Sequence, residues 1–230
     1  MKKHLCIVLL FTALYSKYAT AQNDSQAKGV INGHEYVDLG LSVRWATCNV
    51  GAEKPHDYGN YYYWGETRQW INPSQVCHTN GMDLDDISGT ARDIACVKWG
   101  KPWRMPTEGE LNEIKDLCTW EWIVINGHKG YRITGPNGNS IFLPTYTYEG
   151  YESDAGAIWS STPYKNDMND SAYDLTYIAP LEIRIAEAKA KESVNKEDCG
   201  FEDTYLGSEI LVSPSGRGIR PNAVRPVTDY

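Results

Sequence analysis

The sequence is poor in phenylalanine and in positive charge, and it lacks long apolar runs. Only 3 Phe stand against 16 Tyr and 8 Trp, a bias typical of ligand-contacting surfaces because Tyr and Trp join an apolar ring to a polar atom. The 30 Asp and Glu outnumber the 22 Lys and Arg. Nucleic acid and anionic lipid are therefore disfavoured as partners, since phosphate binding needs clustered positive charge. No run of about 18 apolar residues occurs, so no membrane insertion of the mature chain is predicted.

The motifs that identify common enzyme and zinc sites are also missing. No Gly-x-Ser-x-Gly, His-Glu-x-x-His or phosphate-binding loop occurs in the sequence. No Cys-x-x-Cys pair is present either, and Cys77-His78 has no second pair at the spacing that a zinc site needs. The sequence therefore predicts no catalytic residues, no zinc site and no enzymatic activity.

The first 21 residues have the three parts of a secretory signal peptide. A short basic start precedes an apolar run over residues 5–14, and small residues end at Ala21. Cleavage between Ala21 and Gln22 would export the chain, so we expect it in the periplasm, at the cell surface or in the medium.

Beyond that signal the composition favours one domain. Residues 22–33 are polar and unpatterned, which predicts a flexible lead-in, and no Pro- and Ser-rich linker divides residues 34–230. An odd number of cysteines remains, which leaves at least one without an intramolecular partner, and their pairing stays open. They are Cys48, Cys77, Cys96, Cys118 and Cys199.

Two helices are predicted in the middle of the chain. Thr90 is the expected N-cap of a helix over residues 91–99, which Gly100 would end. Thr107 and Glu110 form a Thr-x-x-Glu capping box at the start of a second helix. The apolar face of that second helix is predicted to consist of Leu111, Ile114, Leu117 and Cys118.

Strands are predicted where apolar and polar residues alternate between turn signals. Two lie within residues 34–49 around Gly40, and the others cover 120–125, 131–134, 140–143, 156–161, 172–177, 209–212 and 222–227. A further helix is predicted over residues 182–196, which are rich in Ala, Glu and Lys. The fold class is therefore α+β.

Aromatic residues are densest over residues 58–70, and this segment is the first candidate for ligand contact. Their ring faces could meet sugar rings or a partner protein. The alternative is that they pack the core, since about half the side chains of an alternating strand point inward. The candidate ligand-binding residues are Tyr61, Tyr62, Tyr63, Trp64, Trp70, Tyr148 and Tyr151.

Calcium is the one metal for which the sequence offers weak candidates. Asp83, Asp85 and Asp86 supply carboxylate oxygens within four residues, and a second acidic and amide-rich cluster lies over residues 166–170. Calcium takes about six to eight oxygen ligands, more than either cluster offers on its own. The chain is therefore expected to need no cofactor, with calcium as the alternative.

Seven short segments match, in order, the pattern of a known bacterial family. They are VDLGLSVRWATCNVGA at 37–52, YWGET at 63–67, WGKPWRMPTEGEL at 99–111, CTWEW at 118–122, GYRITGPNGNSIFLP at 130–144, WSST at 159–162 and VRPV at 224–227. On these segments the chain resembles the Fibrobacter succinogenes major paralogous domain family over nearly its whole length. The resemblance implies an extracytoplasmic module of C-type-lectin-like fold, with twisted antiparallel sheets, two main helices and long loops.

The resemblance also limits the function. The Trp-Arg-Met-Pro-Thr run is similar to one in the formylglycine-generating enzymes, which share that fold and use a cysteine pair near the C-terminus. Only Cys199 lies in the last hundred residues here, so that activity is not expected. Residues 178–222 depart from the family pattern through the charged segment at 182–196, and a function built on that edge would not be shared with the family.

Composition, motifs and resemblance together predict a secreted or cell-surface module for binding or adhesion, without catalysis. Its expected ligand is a glycan or a surface protein. A structural or assembly component of a cell-surface complex is the alternative, and an enzyme is the second alternative. The oligomeric state stays open.

Overall fold

Antiparallel sheets make up most of the fold. The computed structural model describes residues 27–75, 77, 85–148, 151–164, 171–192, 210–216 and 220–230. Over these residues the chain is a mixed α+β fold with few helices, which confirms the predicted class at that level. Among them no helix is long and apolar enough to cross a membrane. The predicted signal peptide and Cys199 lie outside the described residues.

The first sheet joins the start of the described chain to its end. Its strands are β1 (Lys28–Ile31), β2 (His34–Asp38), β3 (Arg44–Ala46) and β12 (Val227–Thr228), in the order β1-β2-β3-β12. A two-residue turn with positive φ at positions 32 and 33 closes the β1–β2 hairpin. The flexible lead-in predicted over residues 22–33 is therefore wrong for residues 28–33, because cross-strand pairing orders them.

The second sheet is a meander of three strands, β4 (Thr119–Ile125), β5 (His128–Thr134) and β6 (Ser140–Pro144). Asn126 and Gly127 connect β4 to β5 with φ of 51° and 86°. Positive φ at both central positions is the signature of the tight turn that Asn-Gly favours. All three strands and this turn confirm the prediction from the sequence.

The third sheet consists of β9 (Ala155–Tyr164), β10 (Ser171–Ile178) and β11 (Ile210–Gly216), in the order β11-β10-β9. The described strands are longer than predicted, because pairing extends beyond the apolar stretches that the pattern reveals. A short hairpin of β7 (Thr147–Tyr148) and β8 (Tyr151–Glu152) precedes β9. Ser153, which follows this hairpin, and the start of β9 line one side of the candidate site described below.

The first helix begins later than predicted. Helix α1 covers Ile94–Trp99, and its N-cap is Asp93, whose carboxylate accepts hydrogen bonds from two backbone N–H groups of the first turn at 2.9 and 3.2 Å. Thr90 is not the cap, because the helix begins only at Ile94 and the Thr90 hydroxyl bonds within the preceding turn, donating to the Ile87 carbonyl at 2.7 Å and accepting from the Arg92 N–H at 3.2 Å. The predicted end at Gly100 is confirmed, with φ of 75°.

Helix α2, Glu108–Leu117, begins with the predicted capping box. The hydroxyl of Thr107 accepts from the Glu110 N–H at 3.3 Å, and the Glu110 carboxylate accepts from the Thr107 N–H at 2.8 Å. The same carboxylate forms a bidentate ion pair with Arg104, with N to O distances of 2.6 and 2.9 Å. The capping box is thus held by local sequence and by Arg104 in the segment just before the helix.

The apolar face of α2 is narrower than predicted. Leu111 and Ile114 are fully buried, whereas Leu117 is 58% exposed, since it lies in the last turn where the helix leaves the core. Helix α3 covers Leu181–Glu192 and confirms most of the predicted helix. The rest of that prediction, residues 193–196, lies outside the described residues.

A buried arginine ties three parts of the chain together. The Arg225 side chain is fully buried and donates to Asn49 Oδ1 at 2.8 Å, to the Ala46 and Thr47 carbonyls, and to the Phe142 carbonyl at 2.9 Å. None of these oxygens is a carboxylate, and burial lowers the pKa of Arg225. Because an unbonded buried guanidinium is costly, this cage holds the C-terminal segment against β3 and β6.

Candidate functional site

The four consecutive aromatic residues at positions 61–64 lie in the core. Tyr61 is 9% exposed, and Tyr62, Tyr63 and Trp64 are buried as well. The Trp64 indole N–H donates to the Ser160 carbonyl at 2.8 Å. Their ring faces are enclosed by protein, so core packing, and not ligand contact, describes these four side chains.

Trp70 has a different environment, at the rim of a groove of about 440 Å³. Trp70 and Tyr146 supply the aromatic surface of this groove. Ser153, residues 155–157 and residues 220–222 complete its lining. The groove thus unites one predicted ligand-binding residue, Trp70, with residues from the edge of β9 and from the segment before β12.

Tyr61 positions Trp70 and Tyr146, the two aromatic residues of the groove, from the core side. Its carbonyl accepts from the Trp70 N–H at 2.8 Å, and its ring packs against that of Tyr146 with centroids 4.7 Å apart. The Tyr61 hydroxyl accepts from the Thr147 N–H at 3.1 Å. Tyr61 therefore belongs to the site as a positioning residue, although its own ring does not face the groove.

The walls of the groove are held by backbone hydrogen bonds. Tyr146 donates its N–H to the Ala155 carbonyl at 2.7 Å, and its carbonyl accepts from the Ser153 N–H at 2.8 Å. A Cβ at Gly156 would lie 2.4 Å from the ring of Tyr177, so this position contributes only backbone to the groove. A rigid wall limits the ordering cost that a ligand meets on binding.

Arg220 brings positive charge to the groove. Its side chain is exposed, and burial raises the pKa of Tyr146 while the charge of Arg220 opposes that shift. The guanidinium offers N–H donors to the oxygens of a ligand. Arg220 and Tyr146 were missed by the sequence interpretation, although Tyr146 lies only two residues before the predicted Tyr148.

A buried carboxylate lies beneath Asn222, one of the lining residues. Asp174 is 3% exposed, and its Oδ2 accepts from Asn222 Nδ2 at 2.8 Å. Burial raises the pKa of Asp174 to about 6, and hydrogen bonds from Asn222 and Thr176 and the charge of Arg220 oppose the shift. The backbone of Asn222 pairs with Tyr62, whose N–H and carbonyl each bond it at 3.0 Å. Hydrogen bonds thus hold Asn222 and Asp174 in place at the floor of the groove.

The remaining predicted aromatic residues, Tyr148 and Tyr151, face each other across the β7–β8 hairpin in backbone register. Their side chains lie outside what the structure describes. Their strands adjoin the groove, since Ser153 follows β8 directly.

The weak calcium candidates are only partly described. Asp83 and residues 166–170 lie outside the described residues. Asp86 uses both oxygens within the protein, accepting from the Ser88 N–H at 2.9 Å and from the Thr162 hydroxyl at 3.0 Å. In the described part of the chain, neither Asp85 nor Asp86 belongs to a cluster of metal-ligating groups. Asp86 therefore holds a turn at Ser88 and a contact to Thr162 on β9.

The described cysteines include three free thiols, at positions 48, 96 and 118. Burial raises the pKa of Cys118 to about 11, which keeps it protonated and unreactive at neutral pH. None of the three lines the groove.

A second depression, of about 540 Å³, lies along α2 and is more open than the groove. Its acidic groups are already engaged, since Glu113 accepts from the N–H and hydroxyl of Ser42 at 2.5 to 3.1 Å and Glu110 belongs to the capping box. We therefore assign the candidate site to the groove at Trp70, Tyr146 and Arg220.

No protein-family model, curated protein or solved structure matches this chain. The resemblance to the major paralogous domain family thus stays a prediction that rests on its seven segments. The candidate site is interpreted from its geometry.

Proposed function

We propose that this protein is a secreted or cell-surface binding module without catalytic activity, and that it binds a glycan in the groove at Trp70, Tyr146 and Arg220. The observation that carries the proposal is the placement of two half-buried aromatic rings beside an exposed guanidinium around one groove. Binding sites typically combine such apolar surface with a few polar groups that fix orientation.

The chemistry of the groove suits a sugar ring. Aromatic faces pack against the apolar C–H face of a pyranose, and the guanidinium and the Ser153 hydroxyl can bond its oxygens. Tyr61 holds both aromatic residues in place from the core, so little side-chain freedom is lost on binding.

A C-type-lectin-like fold is part of this proposal. The antiparallel sheets, the two helices α1 and α2 and the irregular path of residues 47–75 after β3 support it, together with the seven matching segments. Export of the chain rests on its N-terminal sequence alone. The alternative is a structural component of a cell-surface complex, and the experiment below separates the two.

A glycan array with the purified mature chain tests the proposal. We expect binding to a defined set of glycans, and loss of most of that signal in Trp70→Ala. Val124→Ala is the matched control, because Val124 is an exposed apolar residue on β4, 60% exposed and outside the groove. An array without signal, combined with co-purification of a surface protein, would overturn the glycan proposal in favour of the assembly alternative. Equal signals from both variants would overturn the assignment of the groove.

A further inference from the structure

Two histidines and an aspartate from distant parts of the chain meet near the loop before Tyr58. His56 and Asp57 lie in that loop, and His128 is the first residue of β5. Each offers one ligating atom, and the three atoms lie within 4.8 Å of one another. None of the three lines the groove.

The carboxylate of Asp57 is held so that one oxygen faces the neighbouring imidazole. Its Oδ2 accepts from the Lys54 N–H at 2.9 Å, and its Oδ1 lies 3.9 Å from His56 Nε2. That separation is too long for a hydrogen bond. The two groups are thus near neighbours that do not satisfy each other.

His128 carries a nitrogen that the protein leaves unsatisfied. Its Nδ1 is buried and has no hydrogen-bond partner within the described part of the chain. The ring packs near those of His56 and Tyr58, with centroids 5.2 and 4.9 Å away. A buried polar atom without a partner is costly, and such an atom within a group of metal-ligating side chains points to a ligand that the protein itself does not supply.

The adjacent lysine does not oppose a cation here. Lys129 Nζ is paired with Asp154 at 2.7 Å and with Glu187 at 2.8 Å. Glu152 accepts from the Lys129 N–H at 2.6 Å and from the Tyr58 hydroxyl at 2.7 Å. Two carboxylates thus pair with this one amine, while Glu152 bonds only neutral N–H and O–H donors, and the local charge favours a bound cation.

We propose that His56, Asp57 and His128 form a zinc site with at least one coordination position open to an exogenous ligand. Imidazole nitrogen suits zinc and its late first-row neighbours, whereas calcium takes about six to eight oxygens. Ligands about 2.0–2.2 Å from a tetrahedral zinc lie about 3.4 Å apart. In the structure the three ligating atoms lie within 4.8 Å of one another, so they must move closer to bind the ion. His56 and Asp57 lie in a loop, and rotation of their side chains brings the atoms to the spacing that zinc needs. The ion fastens that loop to β5.

Isothermal titration of the full mature chain with Zn²⁺ tests this site. We expect one ion per chain, with affinity reduced at least about tenfold in His56→Gln and in His128→Gln. Glu53→Gln is the matched control, because it removes a charge from the same loop at an exposed position outside the cluster. Zn²⁺ should also raise the thermal midpoint of the wild type and of this control but not that of the histidine variants. Circular dichroism in the presence of a chelator checks that each variant is folded.

Three other results would contradict the proposed zinc site. Zinc binding that persists in both histidine variants and disappears when the cysteines are alkylated would assign the ion to thiols and overturn the proposal. An equal rise of the midpoint with Ca²⁺ would contradict a nitrogen-rich site. Absence of measurable zinc binding by the folded wild type would also refute it.

Discussion

The aromatic segment 61–64 and the pair formed by Trp70 and Tyr146 have similar compositions and opposite environments. The first four rings are enclosed in the core, whereas Trp70 and Tyr146 stay half-buried at a groove. Tyr61 joins the two sets, since it bonds Trp70 and packs on Tyr146. The contrast teaches that aromatic density marks the neighbourhood of a site, while exposure after folding decides which rings a ligand can meet.

Removing one ring from each set gives the largest expected effect and the sharpest form of this contrast. Trp64→Ala should lower the free energy of unfolding by about 4 kcal/mol, because it leaves a cavity and an unbonded Ser160 carbonyl. Trp70→Ala should cost less than about half of that, since less of its surface is buried. Urea denaturation measures both. Equal costs would show that Trp70 is a core residue and would break the distinction.

The buried carboxylate beneath the groove predicts a pH-dependent difference. Since burial raises the pKa of Asp174 to about 6, the folded chain holds a proton between about pH 4 and 6 that the unfolded chain has released. The contribution of Asp174 to stability therefore falls as the pH rises through that window. Asp174→Asn removes this dependence. The free energy of unfolding of the variant minus that of the wild type should therefore rise by on the order of 2–3 kcal/mol from pH 4 to 7.

Urea denaturation of both proteins at several pH values from 4 to 7 checks this prediction. Using the difference between the two proteins cancels the titration of the other carboxylates. If the free energies of unfolding of the two proteins changed in parallel with pH, Asp174 would titrate normally. The floor of the groove would then be more hydrated than the burial of Asp174 implies.

The capping box of α2 supports the fold and does not line the groove. Thr107→Ala should lower the free energy of unfolding by about 1 kcal/mol, because the Glu110 N–H loses its acceptor. Thr107→Ser keeps the hydroxyl and serves as the control. Neither change should alter glycan binding, and a loss of binding in Thr107→Ala with the fold intact would contradict a purely structural role for this helix start.

Local sequence was enough to predict elements that depend on a few neighbouring residues. The capping box at Thr107 and the Asn126-Gly127 turn are examples, since their hydrogen bonds and φ angles are set within four residues. The start of α1 shows the limit. Asp93 caps it and also accepts from the Met105 N–H at 2.9 Å, and that distant contact, which favours Asp93 over Thr90, is invisible in the local pattern.

The groove could be predicted only in part, because its residues are far apart in sequence. Trp70 stood out through the aromatic density around it, whereas residues 155–157 were predicted only in part, as the start of the strand over 156–161. Tyr146 and Arg220 come from other segments; the tyrosine-rich stretch around Tyr148 pointed near Tyr146 but not to it, and Arg220 carries no local signal. The same holds for His56 and His128, which antiparallel pairing and a loop bring together.

The affinity of Arg220→Ala for a glycan identified on the array tests the groove most directly. Arg220 is exposed, so its removal should change the free energy of unfolding by less than about 0.5 kcal/mol. Affinity should fall at least about tenfold, which corresponds to about 1.4 kcal/mol. Arg132→Ala, which removes an exposed arginine paired with Glu121 on the second sheet, should bind like wild type. Unchanged affinity in Arg220→Ala, or equal losses in the two variants, would contradict a ligand site at the groove.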